Sequence, residues 1–164
     1  MTKILILLFS GANNFVTNYW AFFYINYINK DSFSLFSMKH KKLALIVEDE
    51  HLIAIDLKNY LEEFGYDSIL INSGEDAIRV AGKHSLDIVI MDIELNGKID
   101  GCMAASKIVE SNSEYAKKII YLSGMSKKQI LKHYPEYNSE HLFIGKPFDT
   151  NDISNAIKEV EKYN

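Results

Sequence analysis

The sequence predicts an α/β domain, built as a doubly wound five-stranded parallel sheet with helices on both faces. Short, continuously apolar runs alternate with amphipathic stretches through residues 39–164, and strands that are buried on both faces read as such runs. The 164 residues are enough for one domain of this kind. Hydrophobic residues make up 48% and charged residues 24% of the chain, which is typical of a globular protein.

The predicted strands are apolar runs that are too short to be helices, and polar residues follow most of them. Each is connected to the next by a stretch long enough for a helix. Parallel strands joined in this way require right-handed crossovers, which place helices on both faces of the sheet. The strands are predicted at residues 43–47, 68–71, 87–92, 119–123 and 141–145.

The predicted helices are assigned from apolar spacing and from residues that begin or end a helix. The first ends before Gly65, which can adopt a positive φ, and Pro135 closes the fourth. Asp149 or Thr150 caps the last helix, whose apolar side chains form one stripe. The helices are predicted at residues 51–64, from 73 to about 81, at about 100–110, at about 127–134, and from 149 or 150 onward.

Residues 1–38 form a separate apolar extension of the 39–164 domain. They contain only three charged residues but half of the aromatic residues. The apolar run after Lys3 resembles the start of a secretory signal, but polar residues interrupt it before it reaches the roughly 18–20 residues that span a membrane. Three interpretations stay open: a native start at Met38, a membrane-associating segment, and a cleaved signal.

Charge and cysteine content exclude several classes of function. The net charge of −4 gives no basic excess for nucleic acid, so we expect no direct nucleic-acid binding. The single cysteine, Cys102, excludes an internal disulfide and indicates a reducing, cytoplasmic location. No cluster of cysteines and histidines suggests zinc, and Tyr115 and Tyr137 are expected at the surface or its boundary.

Charged and hydroxyl side chains stand at the ends of four predicted strands. The carboxyl ends of parallel strands share one edge of a sheet, so these side chains are expected to meet. Two carboxylates ~4 Å apart repel by about 4 kcal/mol at an effective dielectric constant of ~20, so a cluster of three needs positive charge. The side chains are Glu48 and Asp49 after the first strand, Asp92 after the third, Ser123 after the fourth and Lys146 after the fifth.

Lys146 supplies one positive charge to this cluster, and a divalent cation would supply the rest. Oxygen ligands alone favour Mg²⁺ over zinc. A carboxylate beside Mg²⁺ and an ammonium group is arranged to attack phosphorus as a nucleophile. The residues therefore indicate phosphoryl chemistry at this edge.

The ordered set of motifs resembles the receiver domains of two-component response regulators, which have a flavodoxin-like fold. Each motif is weak by itself, but the set in this order and spacing is specific. The resemblance covers about residues 42–162. It rests on Leu-Ile-Val-Glu-Asp-Glu at 45–50, Val-Ile-Met-Asp-Ile at 89–93, Tyr-Leu-Ser-Gly at 121–124 and Gly-Lys-Pro-Phe at 145–148.

The resemblance implies that Asp92 accepts a phosphoryl group from a histidine kinase or a histidine phosphotransfer protein. Asp49 and Asp92 would bind Mg²⁺ directly, Glu48 would act through water, and the backbone carbonyl of Glu94 would complete the protein ligands. Such a protein is not an enzyme for an external substrate. It catalyses only its own phosphorylation and dephosphorylation.

The resemblance also implies a conformational switch. Ser123 would hydrogen-bond to the phosphoryl group and Lys146 would pair with it. Phe143 matches the switch aromatic, which moves inward as the hydroxyl residue shifts, although it also fits an ordinary core position. The movement would alter the face made by the fourth helix, fifth strand and last helix, where an unknown downstream protein or a second copy would bind. The Lys146–Pro147 bond would be cis.

Three other functions share some of these sequence features. The loop from Asp92 resembles an EF-hand, but a strand precedes it and Met103 stands where a bidentate glutamate is required. An aspartate-based phosphatase would have a second aspartate at the position of Glu94. A receiver fold that binds partners without phosphorylation stays open. Because the sequence ends soon after the last helix, we expect a stand-alone receiver, with membrane association through residues 1–38 as an addition.

Overall fold

The computed structural model describes residues 41–163, so the interpretations of residues 1–38 lie outside the described part of the chain. The described residues form one parallel sheet with the strand order β2-β1-β3-β4-β5. This confirms the predicted fold class. The strands are β1 (Lys42–Val47), β2 (Tyr66–Ile71), β3 (Ile88–Asp92), β4 (Ile119–Ser123) and β5 (Leu142–Gly145).

Five α-helices connect the strands or follow the last one, as the apolar spacing predicts. Within residues 41–163, none of them combines the length and the hydropathy that crossing a bilayer demands. Two short 3₁₀ helices, Ser113–Lys117 and Glu161–Tyr163, were not predicted from the sequence. The α-helices are α1 (His51–Glu63), α2 (Gly74–Ala81), α3 (Gly101–Ser111), α4 (Lys127–His133) and α5 (Thr150–Val160).

Local sequence explains where several of these elements begin and end. Ser73 and Asp149 accept hydrogen bonds from backbone N–H groups in the first turns of α2 and α5, as N-cap residues do. Gly65 has a φ of +82°, which ends the turn after α1. The chain therefore enters β2 at Tyr66, two residues earlier than predicted, where it pairs with Lys42 of β1.

Two apolar clusters cover the two faces of the sheet. Successive residues of a strand point to opposite faces, so Ala44 and Ile46 join one cluster while Leu45 and Val47 join the other. Helices α1 and α5 pack on the first face, and α2 and α3 pack on the second. Burial on both faces accounts for the continuously apolar strands and leaves the strand ends to carry the polar groups.

Tyr115 and Tyr137 are buried, which corrects the expectation that they lie at the surface or its boundary. Tyr115 is 5% exposed, and its hydroxyl donates to the carbonyl oxygen of His84 at 2.8 Å. The ring of Tyr137 packs on that of Tyr121 with centroids 5.2 Å apart. Both residues lie in connections without a regular apolar period, so their burial is set by tertiary packing.

His141 gives the domain a predictable acid sensitivity. Its ring is 7% exposed, packs against Tyr121, and lies with Nδ1 3.0 Å from the carbonyl oxygen of Ala116. Burial lowers the pKa of His141 below its ordinary value, so the unfolded chain binds a proton more readily than the folded one. The stability that neutral His141 contributes is complete above about pH 6.5 and is lost as the pH falls toward the lowered pKa.

We therefore expect the urea midpoint of the wild type to fall more between pH 7.5 and pH 5.5 than that of a His141→Gln variant. Glutamine does not titrate and keeps an N–H group that can donate to Ala116. Comparing the two proteins removes the contribution of every other titrating group. Equal pH slopes would mean that His141 is not held neutral by its surroundings.

Candidate functional site

The carboxyl ends of β1, β3, β4 and β5 bring the predicted site residues to one edge of the sheet. Asp92 is the last residue of β3 and pairs in register with Leu122 of β4. Ser123 ends β4 and pairs with Gly145, the residue before Lys146. The parallel arrangement thus brings together residues that are far apart in sequence, as predicted.

Lys146 joins two of the carboxylates. Its Nζ lies 2.8 Å from Oε2 of Glu48 and 2.9 Å from Oδ2 of Asp92. The side chains of Glu48, Asp92 and Lys146 are 0%, 3% and 16% exposed. Buried charges are costly unless they are paired, so the ammonium group stabilises both carboxylates. The Lys146–Pro147 peptide bond is cis, as the resemblance implies.

One carboxylate oxygen from each of Glu48, Asp49 and Asp92 lies within 4.8 Å of the other two. Three carboxylates and one ammonium leave an excess of negative charge when all are ionised. An all-oxygen donor set is what Mg²⁺ prefers, so these residues fit the predicted metal site. The side chain and the backbone N–H of Asn96 both donate to Oδ2 of Asp49, which fixes the orientation of that carboxylate.

Burial is the main influence on the pKa of Glu48. Loss of solvation raises the pKa of Glu48 to about 7, and the neighbouring charge of Asp92 adds to this, while the hydrogen bond from Lys146 opposes it. Burial also acts to lower the pKa of Lys146, but the hydrogen bonds to Glu48 and Asp92 outweigh it and the pKa is raised. A bound divalent cation would favour the ionised form of Glu48.

A backbone N–H group also binds the carboxylate of Asp92. The N–H of Glu94 donates to Oδ1 of Asp92 at 3.0 Å, so both carboxylate oxygens have a fixed partner. The first turn of α3 lies directly against the end of β3, since a Cβ atom at Gly101 would be 1.9 Å from the carbonyl oxygen of Asp92. No motif in the sequence indicates that Gly101 takes part in the site.

Ser123 is fully buried, and its hydroxyl is directed to Glu94. Oγ of Ser123 donates to Oε2 of Glu94 at 2.9 Å and accepts a hydrogen bond from the N–H of Met125 at 3.0 Å. The resemblance to receiver domains implies a role for the backbone carbonyl of Glu94 and none for its side chain. No periodic signal in the sequence indicates that the side chain of Glu94 faces Ser123.

Phe143 lies on β5, beside Tyr121 of β4 in the sheet register. Its ring is half-buried, contacts the apolar cluster on the side of α2 and α3, and has Nζ of Lys127 5.5 Å from its centroid. The ring therefore stands between the sheet and the start of α4. Its predicted role as a switch aromatic stays a prediction.

Known proteins share this sequence pattern and this architecture. PdtaR, a transcriptional regulatory protein of Mycobacterium tuberculosis, is 33% identical over 116 residues, which are 70% of this chain and 54% of that protein. Sporulation initiation phosphotransferase F of Bacillus subtilis is 26% identical over 124 residues, 74% of this chain and 94% of that protein. The matched segment thus spans about half of the first relative and nearly all of the second.

Solved structures agree with the observed topology. The receiver domain of a sensor histidine kinase from Pseudomonas aeruginosa PAO1, solved with magnesium in its active site cleft, matches with a TM-score of 0.64 at 20% identity. The match covers 73% of this chain and 98% of that chain, and at this identity it shows the fold. The family model described as the response regulator receiver domain matches residues 44–158. Since that match covers most of the chain, this protein belongs to the response regulator receiver domain family of two-component systems.

Proposed function

We propose that this chain accepts a phosphoryl group on Asp92 from a phosphohistidine of a kinase or phosphotransfer protein, and signals through a changed protein-binding surface. The observation that carries the proposal is the buried Asp92 carboxylate, held between Lys146 and the N–H of Glu94. Two further carboxylates lie beside it. The family membership supports this general role, and the geometry supports the choice of Asp92.

In the proposed reaction an oxygen of Asp92 forms a bond to phosphorus. The bond from phosphorus to the donor histidine nitrogen breaks, and its electron pair stays with the imidazole. The ammonium group of Lys146 then pairs with the new phosphoryl oxygens. Mg²⁺, held by Asp49, Asp92, the carbonyl of Glu94 and Glu48 through water, would neutralise negative charge on those oxygens.

The proposed signal begins with charge. A phosphoryl group adds about −1.5 to −2 charge units and three acceptor oxygens, which attract Lys146 and the hydroxyl of Ser123. Movement of Ser123 makes room for Phe143, whose ring touches the start of α4 through Lys127. The face formed by α4, β5 and α5 would then bind a downstream protein or a second copy of the chain.

The proposal includes a receiver that acts as a separate protein in the cytoplasm. The 94% coverage of the Bacillus subtilis phosphotransferase supports the first point, because that relative is little more than the matched segment. A reducing compartment suits the free Cys102, which is buried and whose thiol pKa burial raises to about 12. An alternative is a receiver fold that binds its partner without phosphorylation.

Acetyl phosphate with Mg²⁺ tests the proposal. Intact-mass measurement should show one added phosphoryl group on the wild type and none on Asp92→Asn, because an amide oxygen cannot form the acyl phosphate. Asp56→Asn, which changes an exposed carboxylate on α1, is the matched control and should be labelled like the wild type. Labelling that persists in Asp92→Asn would refute the assignment of Asp92, and an unlabelled wild type would favour the alternative.

A further inference from the structure

We propose that the side chain of Glu94 is a positioning residue that holds the Ser123 hydroxyl away from Asp92 until a phosphoryl group displaces it. This inference rests on the proposed function and adds a restraint on it. Oγ of Ser123 donates to Oε2 of Glu94 at 2.9 Å. The side chain of Glu94 thus raises the free energy of phosphorylation through Ser123, without contacting the carboxylate of Asp92 itself.

The argument begins with the hydrogen-bonding capacity of Ser123. A serine hydroxyl has one proton to donate, and in this structure that proton goes to Glu94. The oxygen also accepts from the N–H of Met125 at 3.0 Å, which fixes the direction of the remaining lone pair. Ser123 can donate to a phosphoryl oxygen on Asp92 only after its hydrogen bond to Glu94 breaks.

The two partners differ in burial, so losing the Ser123–Glu94 hydrogen bond is costly for Ser123 and easy for Glu94. Ser123 is 0% exposed, so its hydroxyl has little water to bond with and needs a protein acceptor. Glu94 is exposed, so its carboxylate can turn to solvent when it loses this partner. Ser123 therefore depends on this hydrogen bond more than Glu94 does. A stronger acceptor, such as a phosphoryl oxygen, can replace Glu94 as the acceptor for the Ser123 hydroxyl.

The negative charge of Glu94 also opposes phosphorylation of Asp92. Glu94 stands two residues after Asp92, and its own N–H donates to Oδ1 of Asp92 at 3.0 Å. Oε2 of Glu94 lies 3.9 Å from the position that a Cβ atom on Gly124 would take, so the carboxylate covers the residue after Ser123. A phosphoryl group on Asp92 is repelled by this negative charge, and the repulsion adds to the cost of phosphorylation separately from the hydrogen bond.

The test compares Glu94→Ala and Glu94→Gln with the wild type in the full chain with Mg²⁺. One measurement is the rate of phosphorylation by acetyl phosphate, in which an oxygen of Asp92 bonds to phosphorus and acetate leaves with the electron pair. The other is the dissociation constant for beryllium trifluoride, which imitates a phosphoryl group. Glu94→Ala should phosphorylate about fivefold faster and bind beryllium trifluoride about fivefold more tightly, the factor that corresponds to one intramolecular hydrogen bond of typical net strength.

Glu94→Gln keeps an acceptor for Ser123 and removes the charge, so its values should lie between those of the wild type and Glu94→Ala. Glu50→Gln is the matched control, because Glu50 is an exposed carboxylate at the same edge with no bond to Ser123. It should change neither quantity by more than twofold. If Glu94→Ala does not fold, Glu94→Gln carries the test, and values equal to the wild type would overturn the inference.

A double-mutant cycle with Ser123→Ala separates the hydrogen bond from simple repulsion. Without the hydroxyl only the repulsion remains, so adding Glu94→Ala to Ser123→Ala should improve beryllium trifluoride affinity by no more than Glu94→Gln does when Ser123 is present. An equal gain with and without Ser123 would overturn the inference while the proposed function stands. A wild type that takes no phosphoryl group would instead overturn the proposed function, and this inference with it.

Discussion

Gly101→Ala is expected to destabilise the domain by about 3 kcal/mol and to impair phosphorylation of Asp92. The added Cβ would lie 1.9 Å from the carbonyl oxygen of Asp92 and 2.9 Å from Cα of Ile93. Both are backbone atoms, so no side-chain rotation relieves the clash. Either α3 moves away from the sheet, or the end of β3 shifts and carries Asp92 out of reach of Lys146.

Urea unfolding and acetyl phosphate labelling measure the two effects of Gly101→Ala. Gly82→Ala is the matched control, because Gly82 ends α2 with a φ of −74° and its added Cβ would have its nearest contact at 3.6 Å. The control should change the free energy of unfolding by less than about 0.5 kcal/mol and leave labelling intact. Equal stability of the two variants would mean that α3 does not approach β3 this closely.

The fold and the core of the site were predictable because the sequence carries two signals for most of the strands. An apolar run marks the body of such a strand, and a polar residue marks its carboxyl end. Asp92 and Lys146 are 54 residues apart, yet both follow such runs, so the parallel sheet alone brings them together. The strand topology is therefore enough to predict that these two residues meet, and no knowledge of side-chain rotamers is needed.

Most of the contacts that were not predictable involve residues outside the five strands and five α-helices. Glu94 and Asn96 follow β3 in a loop, where apolar spacing carries no information and each side-chain direction depends on neighbours from other strands. Gly101 begins α3, and its close approach to the carbonyl oxygen of Asp92 follows only from the packing of α3 against β3. For the same reason the burial of Tyr115 could not be predicted, because the partner of its hydroxyl lies in the loop before β3.

Lys146→Met is expected to destabilise the domain in a pH-dependent way and to uncouple phosphorylation from the switch. Glu48 and Asp92 lose their common ammonium partner, and removing one member of a buried charged cluster costs about 3 kcal/mol or more when the others stay ionised. Burial already raises the pKa of Glu48 to about 7, and loss of Lys146 should raise it further. A protonated Glu48 relieves the repulsion, so the cost is small at low pH.

The sign of the pH dependence follows from proton binding. The folded protein binds the Glu48 proton more tightly than the unfolded chain does, so this stabilisation is complete below pH 4.5 and is lost as the pH rises through the folded pKa. Because the loss extends to higher pH in the variant, the gap in urea midpoint between wild type and Lys146→Met should be wider at pH 8.5 than at pH 6. Some labelling by acetyl phosphate should remain, without the change at Phe143.

Two comparisons make this result specific to the buried cluster. Lys132→Met removes an exposed lysine of α4 and should leave the urea midpoint nearly unchanged at both pH values, since isolated surface charges contribute little. Mg²⁺ should narrow the gap for Lys146→Met at pH 8.5, because added positive charge substitutes for the missing ammonium. A gap that does not vary with pH or with Mg²⁺ would mean that Lys146 contributes by packing, and that the three carboxylates are balanced by other groups.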